Sequence, residues 1–235
     1  MKLELKPFKH VVIDNFLHER VAEELHKQFP KPTDDWYKYD NVFEIKRAQD
    51  DIKKLPEVHK RILADFNTHI FIDHLEQVFG IEGLIPDPSF RGGGLHQIMP
   101  GGKLDIHADF NWHKKLKLHR RLNAILYLNK HWQKEWGGHL ELWNKDMTAC
   151  EKKIAPLFNR MVIFETTDFS YHGHPEKLNF PLGESRKSMA WYFYSSERPK
   201  EEITQAHSTL FQKRPQDTTT NEIEAFREKR GKGRV

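Results

Sequence analysis

Apolar and polar positions along this 235-residue chain change their period near residue 80. Before that point the spacing is helical. In LHERVAEELHKQF, residues 17–29, the apolar positions Leu17, Val21, Leu25 and Phe29 fall on one helix face. Residues 57–80 predict one or two further helices, stopped by Gly80. FKHVVIDNF, residues 8–16, has strand character, and the polar stretch 30–50, opening PKPTDD, reads as a loop. Beyond residue 88 the texture becomes that of short strands: 90–100, 103–110, 121–129, 139–143, 159–166, 170–174 and 185–195. Turn signals separate them, among them Pro100-Gly101-Gly102, Gly137-Gly138, Pro156 and Pro181-Leu182-Gly183. Helices followed by closely spaced strands predict an α+β fold with a sandwich or barrel core. The expected organisation is one domain over residues 1–198. Its helical part covers about 14–80 and its β core about 88–196. A polar tail follows at 199–235, in which PQDTTTNE reads as a flexible link to a short charged helix.

Composition narrows the class. Aromatic residues make up 12%, with 16 Phe and 6 Trp, which fits a packed interior. A single cysteine, Cys150, excludes an intramolecular disulfide and a cysteine-based zinc site. The start, MKLELKPFKH, lacks the roughly 7–15-residue apolar stretch of a secretory signal. No run approaches the roughly 18 apolar residues of a membrane span. A cytoplasmic protein without a membrane partner is expected. The net charge of +4 sits entirely in the last nine residues, REKRGKGRV, which hold five basic groups and one acid. The body is electrically balanced, so a nucleic-acid partner is not expected. Nothing in the pattern fixes an oligomeric state.

Candidate chemistry lies in KLDIHADF. On a strand, Asp105, His107 and Asp109 share one face, while Leu104, Ile106, Ala108 and Phe110 share the other. A carboxylate–imidazole–carboxylate row is costly in a dry core. A divalent metal bound by His107 and Asp109 removes that cost, and a third ligand from a later strand completes a facial triad with open positions. SYHGHPE supplies two candidates, His172 and His174. Asp105 reads as a rim group beside the ligands. Arg186 opens the last strand, with Ser188 two residues on and so on the same face. A guanidinium fork there suits a bound carboxylate, to which Ser188 adds a hydroxyl. His96, Gln97, Asn111, Trp112 and His113 lie at neighbouring strand ends, where substrate contacts would fall. Asn123 is a candidate pocket residue, and Cys150 reads as a small core or edge residue.

With these motifs in place, the sequence resembles the 2-oxoglutarate/iron(II) dioxygenases, in their prolyl 4-hydroxylase-like branch. The resemblance covers roughly residues 8–198. It is densest from GGGLHQIMPGGKLDIHADFNWH through RRLNAILYLNKHW, WGGHLELW, APLFNRMVIFETTDFSYHGHP and ESRKSMAWYFY. It implies a double-stranded β-helix, or jelly roll, behind N-terminal helices. It selects His172, the histidine directly before Gly173, as the third ligand over His174. It implies Arg186 and Tyr127 as partners of the far carboxylate of 2-oxoglutarate. The implied cofactors are Fe(II), 2-oxoglutarate as co-substrate and O2, with ascorbate as a candidate accessory reductant. The implied activity is C–H hydroxylation with release of succinate and CO2. The substrate is expected to be a small molecule or glycan-linked group. The alternatives are a prolyl residue in a protein or peptide, and a non-catalytic module that binds metal or 2-oxoglutarate. Asp109 argues against halogenation, because related halogenases lack that carboxylate. The insert EKLNFPLGES lengthens the span between His172 and Arg186 relative to oxygen-sensing prolyl hydroxylases.

Overall fold

A computed structural model describes residues 2–232; the last part of the basic tip, residues 233–235, lies outside the described residues. The elements run β1 (His10–Ile13), α1 (Glu19–Lys27), β2 (Tyr37–Asp40), β3 (Glu44–Gln49), α2 (Glu57–Asp65), α3 (His69–Phe79), β4 (Leu84–Pro86), β5 (Gly94–Ile98) and β6 (Lys103–Ala108). They continue with β7 (Trp112–His113), β8 (Leu118–Tyr127), β9 (Leu140–Trp143), β10 (Cys150–Ile154), β11 (Arg160–Glu165), β12 (His172–His174), β13 (Arg186–Ser195), β14 (Leu210–Phe211) and α4 (Asn221–Lys232).

All strand pairs are antiparallel, in the order β1-β11-β8-β13-β5-β3-β6-β12-β9-β10. The sheet curls into a half-barrel of jelly-roll type, so the expected α+β, double-stranded β-helix architecture holds. Period-2 alternation divides its two faces. Leu122, Ala124 and Leu126 of β8, Met161 and Ile163 of β11, and Met189, Trp191 and Phe193 of β13 pack with Leu25, Leu63, Leu75 and Phe79 of the helices. The intervening residues, including Asn123, Tyr127, Ser188 and Tyr192, are therefore directed to the concave face. The helical spacing of residues 57–80 resolves into two helices broken at Phe66–Thr68. Gly80 ends the second in the left-handed region, φ 66°, with its N–H on the Glu76 carbonyl.

The loop expected at 30–50 is instead the β2–β3 hairpin. Its polarity concealed it: β3 runs between β5 and β6 in the sheet, and its buried Glu44 and Gln49 are polar. Hydropathy alone cannot recognise a strand that directs polar groups inward. Gly94, with φ 71°, lets β5 lie against the end of β3, since a Cβ there would stand 2.4 Å from the Gln49 carbonyl oxygen. Residues 203–217 run along the core. Within them β14 pairs with β6, Leu210 opposite Ala108 and Phe211 opposite His107. Among the described residues no helix is long and apolar enough to cross a membrane.

Candidate metal centre and its surroundings

β6 and β12 are antiparallel neighbours whose register sets His107 directly opposite His172. Gly173 permits the close approach: a Cβ there would stand 2.8 Å from the carbonyl oxygens of both Leu104 and Asp105. The two imidazole centroids are 4.4 Å apart. Asp109 follows β6 by one residue. Its Oδ1 is 3.7 Å from His107 Nε2, and its Oδ2 is 3.5 Å from His172 Nε2. One ligand atom from each of the three residues lies within 4.8 Å of the other two.

The rings are held in a ligating orientation. Nδ1 of His107 meets the Asp105 carbonyl at 2.8 Å, and Nδ1 of His172 meets the Ser170 carbonyl at 2.8 Å. A carbonyl only accepts, so each Nδ1 carries a proton, and Nε2, directed toward the Asp109 side, is the ring atom left to serve as a ligand. Burial pushes the His172 imidazole down to about 4, and nearby His107 adds to the effect. Burial works to raise the Asp109 carboxyl, but Arg120, His107 and His172 hold it well below the usual carboxylate range. Two imidazoles and one carboxylate are the donor set that suits a divalent iron with open coordination positions.

His174 stands outside this cluster. It is opposite Leu104, past an irregularity in the β12–β6 register, and neither ring nitrogen has a hydrogen-bond partner. Burial, with the nearby Arg186 charge, holds its imidazole well below the ordinary range. Asp105 contributes its backbone carbonyl to His107, while its side chain pairs with Lys103 at 2.7 Å. That matches the rim role expected for it.

Deeper in the barrel, Arg186 is buried at the start of β13. Its Nε donates to the Gly138 carbonyl at 2.9 Å, and Nη2 donates to Tyr127 Oη at 3.3 Å. The guanidinium also stands 4.9 Å from the Tyr127 ring. Ser188 is opposite Tyr127 on β8 and opposite His96 on β5. Burial, with the nearby Lys46 charge, pushes the His96 imidazole down to about 3, and its Nε2 meets the Gly92 carbonyl at 3.0 Å. Burial lowers the Arg186 guanidinium and raises the Tyr127 phenol. Arg186, Tyr127, Ser188 and His96 thus form a second polar group beside the triad.

Arg120 is a residue that the alternation missed. Strict period-2 spacing puts it on the helix-facing side with Leu122. The β8–β13 pairing slips between Phe193 and Tyr194, so that Tyr192 meets Asn123 while Tyr194 meets Arg120. This bulge turns Arg120 to the concave face. There its guanidinium lies 3.5 Å from the Tyr192 ring centroid and 4.5 Å from that of Phe110. Asn111, singled out as a strand-end polar residue, instead binds the C-terminal segment. Its amide donates to Thr204 Oγ1 at 2.9 Å and to the Gln205 carbonyl at 3.0 Å, and its Oδ1 accepts from His207 N–H.

A curled antiparallel sheet that brings two histidines and one carboxylate together defines a candidate mononuclear metal site of the facial-triad class. Residues 93–194, which contain all three ligands, match the model of the 2OG-Fe(II) oxygenase superfamily. Over 197 residues the chain is 29% identical to the mouse protein named Prolyl 3-hydroxylase OGFOD1, covering 82% of this chain and 34% of that one. The chain therefore spans about a third of the length of the curated relatives that it matches. Its fold is similar to that of a prolyl-4-hydroxylase from Pseudomonas putida, at TM-score 0.55 and 19% identity, over 79% of this chain and 92% of that one. It is also similar to a prolyl hydroxylase from Trichoplax adhaerens solved with a hypoxia inducible factor peptide. Here the TM-score is 0.59 at 16% identity, over 79% and 83% of the two chains.

Proposed function

We propose that this chain is an Fe(II)- and 2-oxoglutarate-dependent hydroxylase of a prolyl residue in a protein substrate. His107, Asp109 and His172 hold the metal, and Arg186, Tyr127 and Ser188 receive the co-substrate. The observation that carries the reading is the clustering of three ligand atoms within 4.8 Å on a fold of this superfamily. When bound, the iron would activate O2, the oxidant: 2-oxoglutarate would supply two electrons and leave as succinate, carrying one oxygen atom, and CO2, and the other oxygen atom would enter the substrate C–H bond as a hydroxyl. The chain's own residues bind and orient. His107 and His172 offer lone pairs fixed by their Nδ1 hydrogen bonds, and Asp109 offers an ionised carboxylate. Arg186 presents a buried planar fork that matches the far carboxylate of 2-oxoglutarate, with the Tyr127 hydroxyl beside it. Phe164 and Leu142 line the apolar wall around Tyr127, and the Phe164 ring stands 4.6 Å from His172. A dry wall of this kind keeps water away from the reacting centre. No side chain is required as a general base.

The relatives shift the weight between substrate classes. A small-molecule or glycan-linked substrate was the first expectation from sequence. The relatives, prolyl 3-hydroxylases that share up to 29% identity with this chain, support the protein-prolyl alternative better. The test is turnover of 2-oxoglutarate with proline-containing proteins or peptides, followed by mass spectrometry. The expected result is a single-oxygen mass gain on a prolyl residue that requires Fe(II) and 2-oxoglutarate and is lost in Asp109→Ala. Succinate production stimulated only by small molecules or glycans, with unmodified prolines, would overturn the prolyl reading.

A further inference from the structure

Beyond the other two ligands, Asp109 has two buried partners, Asn123 and Arg120. Asn123 Nδ2 donates to Asp109 Oδ2 at 2.6 Å, and Arg120 Nη2 lies 3.2 Å from the same oxygen. The two partners are joined to each other: Arg120 Nε and Nη2 donate to Asn123 Oδ1 at 2.9 and 2.6 Å. Arg120 is 1% exposed and Asn123 is 3% exposed. The guanidinium cannot swing, because Tyr192 and Phe110 lie against it. The amide cannot flip without loss, because it would turn its NH2 to the guanidinium and its oxygen to the carboxylate. Burying a full charge is unfavourable unless it is paired, and among the described residues the carboxylate that Arg120 meets is Asp109.

We propose that Arg120 and Asn123 are positioning residues that set how Asp109 binds the metal. Asn123 donates to Oδ2 and the Arg120 guanidinium pairs with the same oxygen, so Oδ2, which stands 3.5 Å from His172 Nε2, is already engaged, while Oδ1, which faces His107 Nε2 at 3.7 Å, is left as the principal donor. The pair thereby holds the carboxylate to one-oxygen ligation, keeps an additional coordination position open, and draws electron density from the ligand. This rests on the reading of His107, Asp109 and His172 as metal ligands. A buried arginine that served only to fill space would not need a carboxylate partner, and an asparagine that served only the strand ladder would not bridge the two.

The test uses Co(II) as the probe on the full 235-residue chain, in Asn123→Ala and Arg120→Lys, with metal-free thermal melting to verify folding. Arg120→Lys keeps the charge but loses the fork that joins Asn123 and Asp109. In Asn123→Ala the expected result is Co(II) affinity lower by about 10–100-fold, as for lost partners of metal ligands. The visible Co(II) spectrum should also change, reporting altered coordination by the freed carboxylate. Arg120→Lys should move both readouts the same way by less. A purely structural role would move the melting temperature and leave the spectrum alone. Wild-type affinity with a superimposable spectrum in Asn123→Ala would remove the positioning role and leave the triad standing. Failure of the wild-type chain to bind Co(II), while Asp109→Ala behaves identically, would remove the triad and this role together.

Discussion

Gly173 lies between two histidines on the three-residue strand β12. It is there because the carbonyls of Leu104 and Asp105 leave no room for a Cβ. Gly173→Ala should therefore push β12 away from β6, cost about 1–3 kcal/mol by overpacking, and weaken metal binding by separating His172 from His107. Chemical denaturation and a metal titration on the same variant measure both effects. His59 makes a different prediction. It is fully buried in the helical layer, 5.6 Å from the Phe29 ring, and burial pushes its imidazole down to about 4. In the unfolded chain it titrates near 6.5. Acidification from pH 7 thus protonates the unfolded chain first, and stability falls between about pH 6.5 and 4 and levels off below. The share of His59 is about 3 kcal/mol. His59→Leu should flatten that part of the pH–stability curve measured by urea denaturation. At this scale His107 and Asp109 were legible because i and i+2 on a strand share a face whatever the fold around them, whereas alternation left His172 and His174 equivalent and only the family resemblance chose between them. Arg120 was not, because a bulge in β8 breaks the very alternation that the reading relied on.

At the scale of elements, the segment that follows β13 is a structural part of the site. Phe211 of β14 stacks on Phe43 at 4.7 Å between centroids and stands 5.6 Å from the His107 ring. The Gln212 N–H continues the pairing onto the Ile106 carbonyl. From α4, Arg230 pairs with Glu44 of β3 and the Phe226 ring stacks on Phe43. Phe211→Ala should cost about 3–5 kcal/mol as a large-to-small change at a buried site. It should also loosen His107, lowering metal affinity more than an equally destabilising change far away, such as Leu75→Ala in α3. Comparing the two variants by denaturation and metal titration separates local backing from global stability. Neither β14 nor β3 could be read from hydropathy. β14 is two residues long, and β3 carries its buried groups as Glu44 and Gln49. Helices α1, α2 and α3 and the long strands β8, β11 and β13 were legible, because each buries an apolar stripe.

For the whole molecule, the division of the sheet into a helix-covered face and a polar concave face explains why one sequence pattern encodes both stability and site. Each long strand contributes alternate residues to the two tasks, so that Leu126 packs on the helices while Tyr127 faces Arg186. The fold class followed from that alternation, and the metal from the residues that alternation concentrated on one face. Substrate class did not follow, because it depends on loop and hairpin surfaces around the mouth, where polar composition is compatible with many ligands.

The most direct measurement is visible spectroscopy of the chain with Fe(II) and 2-oxoglutarate under anaerobic conditions. A weak metal-to-ligand charge-transfer band is expected in the wild-type chain. It should vanish in His172→Ala, where a ligand is missing, and survive in His174→Ala. In Arg186→Ala it should require much more 2-oxoglutarate while iron binding is unchanged. Bound iron without a band in the wild-type chain, or a band that persists in His172→Ala, would contradict the assignment of this site.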